Sequence, residues 1–173
     1  LNNMFRKGQG PGEIQRFFSF GLENDKICVH DSMSRKIIVM DEAGELLEEI
    51  QLREKGTLRF IGVTDGKVIF SRFSLPELED MTGKIVDEKN QLIAIHLDDK
   101  TESEIGIITN KWWFTQRSGV AIDPLTVVLS NDGQSLYINN TQEYLINVMD
   151  VEAGKIERII TRDYRRVKAQ RRY

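Results

Sequence analysis

The apolar positions of this chain recur with a period of two in short runs, and polar or glycine-containing turns separate the runs. This period is typical of β-strands, because alternate side chains of a strand point to the same face. The first group of runs covers residues 17–22, 27–31, 36–41 and 46–52. The last of these has helical propensity, but its position after three short strands favours a fourth strand.

The same pattern returns twice further along the chain. The second group comprises residues 58–64, 67–73, 92–97 and 104–109, and the third comprises 125–129, 135–139, 144–150 and 156–160. We therefore predict equivalent third strands at 36–41, 92–97 and 144–150. Strands inside stacked sheets are covered on both faces, so we expect burial between sheets for Ile38, Met40, Ile93, Ile95, Ile146 and Val148.

The first and third groups also share a detailed pattern, since Met40-Asp41 and Met149-Asp150 both end an apolar run before a turn. Four short antiparallel strands per repeat of about 40–50 residues are typical of β-propeller blades. The sequence thus predicts an all-β fold, a partial propeller of about three blades. A β-sandwich of about a dozen strands is the alternative, and it would not require the internal similarity.

The predicted blades cover about 17–56, 57–109 and 110–161, and residues 1–16 would be the outer strand and inter-blade loop of a preceding blade. An acidic polar insertion at about 75–90 is interpreted as a solvated surface excursion, because it lacks the regular spacing of a calcium loop. The basic run from Arg162 is interpreted as a solvated tail rather than a phosphate site.

Two segments carry a family resemblance. Gly8-Gln9-Gly10-Pro11-Gly12-Glu13, after Phe5-Arg6-Lys7, resembles the inter-blade loop of bacterial six-bladed β-propellers related to the NHL-repeat group. The run from Asp31 to Asp41 resembles the core motif of the same group, and Asn139–Arg166 is similar to its closing blade. The resemblance implies a six-bladed ring, of which this chain holds about half, and a location in the bacterial cell envelope or periplasm.

Composition narrows the classes of function. The chain has 173 residues and a formal net charge of -3, which gives no global attraction to nucleic acid. Cys28 is the single cysteine, so a disulfide scaffold and a cysteine-based zinc site are excluded. No apolar run approaches the roughly 20 residues of a membrane span. The chain starts at Leu1 without a secretion signal, and we expect it to be a processed or cut piece.

The most unusual cluster is aromatic. Trp112, Trp113, Lys111 and Arg117 are the candidate ligand-binding residues, because aromatic rings on a propeller face could stack on a sugar or hold a peptide. Adjacent side chains of an extended chain cannot all face one way, so at least one ring of the cluster is expected in the core.

Other chemistry-bearing residues have structural interpretations. The loop at 8–13 is followed by a strand rather than a helix, so a structural turn is favoured over a phosphate site. His30 and Asp31 are adjacent on a strand and point to opposite faces, which argues against an acid–base pair. His96 lies in another repeat, and Cys28 is expected to be a small buried hydrophobe.

Two functions follow from the resemblance. The first is a non-enzymatic binding or scaffold module that presents a loop-rich face to a protein or glycan partner, with no catalytic residue, metal or cofactor. The alternative is a metal-dependent lactonase or esterase-type propeller hydrolase, which would add calcium at the axis with ligands such as Asp31, Asn139 and Asn140.

The size of the chain predicts its assembly. A half ring exposes two apolar faces, which a partner usually covers. A second copy could complete the ring, or further blades could do so. Either version predicts that the chain on its own is not a well-behaved monomer.

Overall fold

A computed structural model describes residues 6–52, 56–73, 83–114, 119–121, 125–139 and 145–162 of the chain. All regular elements within these residues are β-strands, so the all-β prediction is confirmed. The first two strands, β1 (Arg6–Lys7) and β2 (Glu13–Ile14), form a short parallel pair. They precede three antiparallel sheets that follow one another along the chain.

The first sheet contains β3 (Phe17–Glu23), β4 (Lys26–Asp31), β5 (Lys36–Asp41) and β6 (Leu46–Gln51), paired in chain order. The second contains β7 (Thr57–Thr64), β8 (Lys67–Phe73), β9 (Ile85–His96), β10 (Glu102–Phe114) and β11 (Gly119–Ala121), also in chain order. The third contains β12 (Thr126–Leu129), β13 (Ser135–Asn139), β14 (Leu145–Asp150) and β15 (Ile156–Thr161).

Two-residue turns set the register of the first hairpin in the first and second sheets. The β3–β4 turn, Asn24-Asp25, has φ values of 47° and 61°, and the β7–β8 turn, Asp65-Gly66, has 47° and 67°. Two consecutive positive φ values define the turn whose twist matches that of an antiparallel hairpin. Asp65 and Gly66 therefore form a two-residue hairpin turn between β7 and β8.

The sheets pack face to face, and two layers of apolar side chains lie between them. The first layer joins the first and second sheets and includes Cys28, Ile37, Val39, Val68, Phe70, Ile93 and Ile95. The second layer joins the second and third sheets and includes Ile69, Leu92, Ala94, Ile105, Ile108, Leu136, Ile138 and Met149. Because alternate residues of β8 and β9 serve different layers, the second sheet is buried on both faces.

The predicted burial is confirmed for Ile38, Met40, Ile93, Ile95 and Val148. Ile93 and Ile95 lie between the first and second sheets, whereas Ile38 and Met40 pack against Ile14 of β2. The predicted burial is wrong for Ile146, which is half-buried. Ile146 lies on the face of the third sheet opposite the second layer, because it alternates with Met149 of that layer along β14.

The second sheet is longer than the sequence pattern indicated. β9 begins at Ile85, so the end of the predicted acidic insertion is strand and not a solvated excursion. β10 continues to Phe114, and the predicted boundary between residues 109 and 110 falls inside it. Polar residues at alternate positions hid this extension, since they removed the apolar period on which the strand prediction relied. The rest of the insertion, 74–82, lies outside the described residues.

Candidate functional site

The strands β9 and β10 extend past their neighbour β8. The register of β8 with β9 ends at the pair Arg72–Gln91, whereas β9 and β10 remain paired as far as Ile85 and Trp113. We call this two-stranded ladder, residues 85–90 and 108–114, the hairpin extension. Its outer edge is paired with β11, which lies opposite Trp112, Trp113 and Phe114.

The two faces of the hairpin extension differ in burial and in chemistry. Phe114 is buried and Trp112 is half-buried on one face, which also carries the buried polar residues Glu88, Asn90 and Asn110. Trp113 is exposed by 45% on the other face. The prediction that adjacent rings of this cluster cannot share one face is therefore confirmed, because strand side chains alternate.

A buried hydrogen-bond network holds the inner face together. Nε1 of Trp112 donates to Oε2 of Glu88 at 2.8 Å, and Nδ2 of Asn90 lies 3.3 Å from the same oxygen. The amide of Asn110 lies 2.5 Å from Nδ2 of Asn90, and the hydroxyl of Ser71 donates to Oδ1 of Asn90 at 3.4 Å. These bonds connect β8, β9 and β10 on this face, while Oε1 of Glu88 has no hydrogen-bond partner within the described residues.

Ring contacts add to the support beneath Trp112. The rings of Trp112 and Phe114 are stacked with centroids 6.1 Å apart. Gly119 of β11 lies against both rings, and a β-carbon at this position would be 2.6 Å from Cε1 of Phe114. Any larger residue would push β11 away from the ladder, so this glycine permits the close pairing.

The outer face is an exposed apolar strip with polar borders. Trp113 pairs across the strands with Ile85, which is exposed by 64%. Lys111 pairs with Asp87, and both are exposed. An indole ring on a rigid ladder, flanked by charged side chains, is suited to stacking on a sugar ring or on a side chain of a partner.

The structure brings three of the four predicted ligand-binding residues into one ladder. Lys111 and Trp113 share its outer face, and Trp112 belongs to its inner face. Arg117 lies outside the described residues. Sequence reasoning missed Glu88, Asn90 and Asn110, because residues 87–90 are all polar and show no apolar period that would indicate a strand.

Asp31 is a candidate metal ligand in the hydrolase alternative, and its carboxylate accepts several hydrogen bonds from the protein itself. It is fully buried and accepts hydrogen bonds from the backbone N–H groups of Gln15, Arg16, Met33 and Ser34, as well as from the Ser34 hydroxyl. Burial favours the protonated acid, but the hydrogen bonds from Ser34, Gln15 and Met33 outweigh it and lower the pKa of Asp31. This carboxylate anchors the chain before β3 to the β4–β5 turn.

The two histidines lie in different surroundings. His30 is buried, its ring lies edge-on to Phe70 with centroids 5.0 Å apart, and burial lowers its pKa while Asp31 opposes the change. His96 contacts the hydroxyl of Ser103 at 3.0 Å. Within the described ranges, no three His, Cys, Asp or Glu side chains lie close enough together to hold a metal ion.

The loop at residues 8–13 has the structural role predicted for it. Oε2 of Glu13 accepts a hydrogen bond from the N–H of Gly10 at 2.9 Å, and Nζ of Lys36 donates to the Gly10 carbonyl at 3.1 Å. Oε2 of Glu49 accepts from the N–H of Gly12 at 3.1 Å. The N–H groups of Gly10 and Gly12 are thus bonded to side chains of the protein, and those of Gly8 and Glu13 are bonded to backbone carbonyls.

An open cleft of about 600 Å³ lies between residues 49–52, at the end of the first sheet, and side chains from β7 to β10 of the second sheet. Its apolar wall includes Leu52, Leu58 and Ile95, and its charged wall includes Arg72, paired with Glu102. Because these opposite charges neutralise each other, the cleft has no charge preference that identifies a ligand.

Comparison with known proteins places the chain among propellers. A family model described as a 6-bladed beta-propeller, DUF5128, matches residues 2–164. A solved member of the DUF4221 family from Bacteroides vulgatus is similar, with a TM-score of 0.58 and 11% identity. The match covers 92% of this chain and 47% of that one, so this chain spans less than half of that protein.

Two further solved structures show a more distant likeness. A streptogramin B lyase matches with a TM-score of 0.39 and 14% identity, over 84% of this chain and 54% of that one. A nidogen/laminin complex matches with a TM-score of 0.40 and 12% identity, over 86% and 65%. No curated protein matches the chain by sequence. No helix long and apolar enough to cross a membrane occurs in the described part of the chain.

Proposed function

Because the chain belongs to the DUF5128 family of six-bladed β-propellers, we propose that it is a non-enzymatic binding module that presents the outer face of the hairpin extension to a protein or glycan partner. The predicted partial propeller is confirmed by this membership, and the β-sandwich alternative is wrong. The observation that carries the proposal is the exposed Trp113, which lies beside Ile85 on a ladder whose inner face is fixed by buried hydrogen bonds.

Rigidity of the ladder supports a binding role. A side chain that is already ordered loses little conformational freedom on binding, and aromatic side chains have few rotatable bonds to begin with. The backbone of Trp113 is paired on both sides, with β9 through Ile85 and with β11 through Val120. The ring is therefore exposed while its backbone is held in place.

The hydrolase alternative has less support. Both carboxylate oxygens of Asp31 already accept hydrogen bonds from the protein. Asn140 lies outside the described residues. A calcium-dependent lactone or aryl-ester hydrolysis that is lost in Asp31→Asn, without loss of the folded state, would restore this alternative.

Binding screens with matched variants test the proposal. The chain is applied to an array of oligosaccharides and to a random peptide library, alongside Trp113→Ala and Met33→Ala. Met33 is exposed by 59% in the β4–β5 turn, so its replacement removes a comparable exposed apolar group elsewhere. We expect ligands that are lost with Trp113→Ala and retained with Met33→Ala.

The ligands that are lost with Trp113→Ala are either oligosaccharides or peptides. Their class decides whether the proposed partner is a glycan or a protein. The chain has two tryptophans, so Trp113→Phe leaves Trp112 as the single indole emitter. A fluorescence change on ligand addition that disappears in Trp113→Phe would locate the ligand on the outer face. Ligands that bind all variants equally would contradict the proposed site.

A further inference from the structure

A cavity of about 160 Å³ lies beside the β4–β5 turn, where the first sheet meets the second. Its lining comes from that turn, from β4 and from residues around the link between the two sheets, and it includes His30, Ser32, Arg35, Leu52, Thr57 and Leu58. No described residue of the hairpin extension belongs to this lining. The cavity is therefore separate from the binding face proposed above.

The polar groups of this cavity suit an anion. The guanidinium of Arg35 can only donate hydrogen bonds, and the hydroxyls of Ser32 and Thr57 can donate as well. Among the described residues that line the cavity, none is Asp or Glu. The ring of His30 is neutral at pH 7, because burial lowers its pKa although Asp31 opposes the change. The guanidinium thus supplies the charge of the lining, and this charge is positive.

One nitrogen of the Arg35 guanidinium lacks an acceptor. Nη2 of Arg35 is buried and has no hydrogen-bond partner within the described residues. Two carboxylates of the same sheet have other partners, since Asp31 accepts backbone hydrogen bonds and Glu49 pairs with Lys36. A buried donor without a partner costs free energy, and most buried donors in proteins are bonded. A ligand oxygen in the adjoining cavity would supply the missing acceptor.

The backbone of Arg35 is also unusual. Its φ is 53°, in the left-handed region that glycine, asparagine and aspartate tolerate best. Lys100, with a φ of 62°, is the other long basic residue of this kind in the described chain, and its ammonium group pairs with Glu48. The carbonyl of Arg35 accepts a hydrogen bond from the N–H of Leu52 at 2.8 Å, which holds the strained turn. Strain of this kind occurs at sites that hold ligands.

We propose that this cavity binds a carboxylate on a short aliphatic chain, with the carboxylate on the guanidinium of Arg35 and the aliphatic part against Leu52 and Leu58. The forked guanidinium matches the two oxygens of a carboxylate, and the two leucines offer an apolar wall. If each atom takes the roughly 30 Å³ of a water molecule, the cavity holds about five non-hydrogen atoms. Propionate has this size, and a glutamate side chain ends in the same group.

Saturation-transfer difference NMR of the full chain with propionate tests the proposal. This method detects the signals of the ligand, so self-association of the protein does not prevent the measurement. Propionamide is the matched control ligand, because it has the same shape as propionate and no charge. We expect a dissociation constant of about 1 mM for propionate, a realistic value for so small a ligand, and binding at least about tenfold weaker for propionamide.

Two matched variants locate the ligand. Arg35→Asn removes the guanidinium and places at a positive φ a residue that tolerates it, so the thermal midpoint should not fall. The same variant should weaken propionate binding by about tenfold or more, the effect of losing charge-assisted hydrogen bonds. Lys100→Asn removes the other basic residue at a positive φ and should leave propionate binding unchanged. A purely structural role of Arg35 would give the opposite result, a lower midpoint with unchanged binding.

A third probe distinguishes the two sources of the carboxylate. The peptide Gly-Glu-Gly, acetylated and amidated at its ends, carries the carboxylate on a glutamate side chain. Tighter binding of this peptide than of propionate, lost in Arg35→Asn, would assign the site to a partner protein, and weaker binding would assign it to a free acid. Equal binding of propionate and propionamide would overturn the proposal. Equal propionate binding by the unchanged chain and Arg35→Asn, or no propionate binding well above about 1 mM, would also overturn it.

Discussion

Nζ of Lys36 lies 2.9 Å from Oε2 of Glu49, and Lys36 is one of the most completely buried large side chains of the described chain. The same ammonium group donates to the carbonyl of Gly10, and the same carboxylate accepts from the N–H of Gly12. One ion pair on β5 and β6 therefore holds the glycine loop against the first sheet.

Lys36→Met should destabilise the chain by about 3 kcal/mol, because removal of one partner leaves the other charge and a carbonyl without their bonds in a buried setting. The control is Lys100→Met, which removes the 2.6 Å ion pair between the more exposed Lys100 and Glu48. Exposed pairs contribute about 1 kcal/mol or less. Urea unfolding measures both, and equal losses would contradict the buried role of Lys36.

Asp31 should make the stability of the chain depend on acid pH. Its pKa is lowered in the folded state from an ordinary value of 3.8, so the unfolded chain binds more protons between the two pKa values. The stabilisation is then complete above about pH 3.8 and is lost as the pH falls through the folded-state pKa. Asp31→Asn should flatten this part of the curve of unfolding free energy against pH.

The same substitution should cost about 2 kcal/mol near pH 7, since it weakens charge-assisted hydrogen bonds to the backbone of residues 15–16 and 33–34. Asp132→Asn is the control, because Asp132 also accepts local hydrogen bonds but is exposed. A profile for Asp31→Asn that parallels the unchanged chain between pH 2 and 6 would show that the carboxylate does not contribute in this way.

The strands whose apolar period is regular could be predicted from the sequence, and those with polar alternation could not. Residues 36–41 were predicted as a strand and form β5, because five of their six side chains are buried. Residues 85–90 were missed, because Glu88 and Asn90 are buried through hydrogen bonds that depend on Asn110 and Trp112, about 20 residues away. Sequence periodicity indicates the burial of apolar side chains, but it does not detect polar side chains that are buried through a hydrogen-bond network.

The candidate site also has features that could be predicted from the sequence and features that could not. The sequence could not decide whether Trp112 or Trp113 is the exposed ring. The alternation of side chains along a strand indicates that the two rings lie on opposite faces, but it does not indicate which face is covered. That answer depends on β11 and on Glu88, and both come from outside the aromatic cluster. The structural role of Asp31 was equally hidden, since its partners include Gln15, which precedes β3.

Equivalent isoleucines on the third strands should differ in their contribution to stability. Ile37 is buried in the layer between the first and second sheets, whereas Ile146, at the same place in β14, is half-buried. Ile37→Ala should cost about 2–5 kcal/mol, because it leaves a cavity among packed side chains. Ile146→Ala should cost about half of this or less. Equal losses in urea unfolding would mean that the outer face of the third sheet is covered as completely as the inner layer.

The thiol of Cys28 should report on the junction between the first and second sheets. It is fully buried in the layer that joins them. Burial raises its pKa to about 11, with a further increase from Glu23 and an opposing effect of Lys26. Because the thiolate is the reactive form, the folded thiol should be nearly inert toward a disulfide reagent at pH 8, and labelling should require opening of the junction.

Labelling rates in increasing urea test this prediction. The rate for Cys28 should rise with urea in parallel with unfolding, because each labelling event requires separation of the two sheets. Met33→Cys in a Cys28→Ala chain supplies the control, since position 33 is exposed in a turn and its thiol should react at once in the native state. If Cys28 in the native chain reacted as fast as the control thiol, the first and second sheets would not be packed against each other in solution.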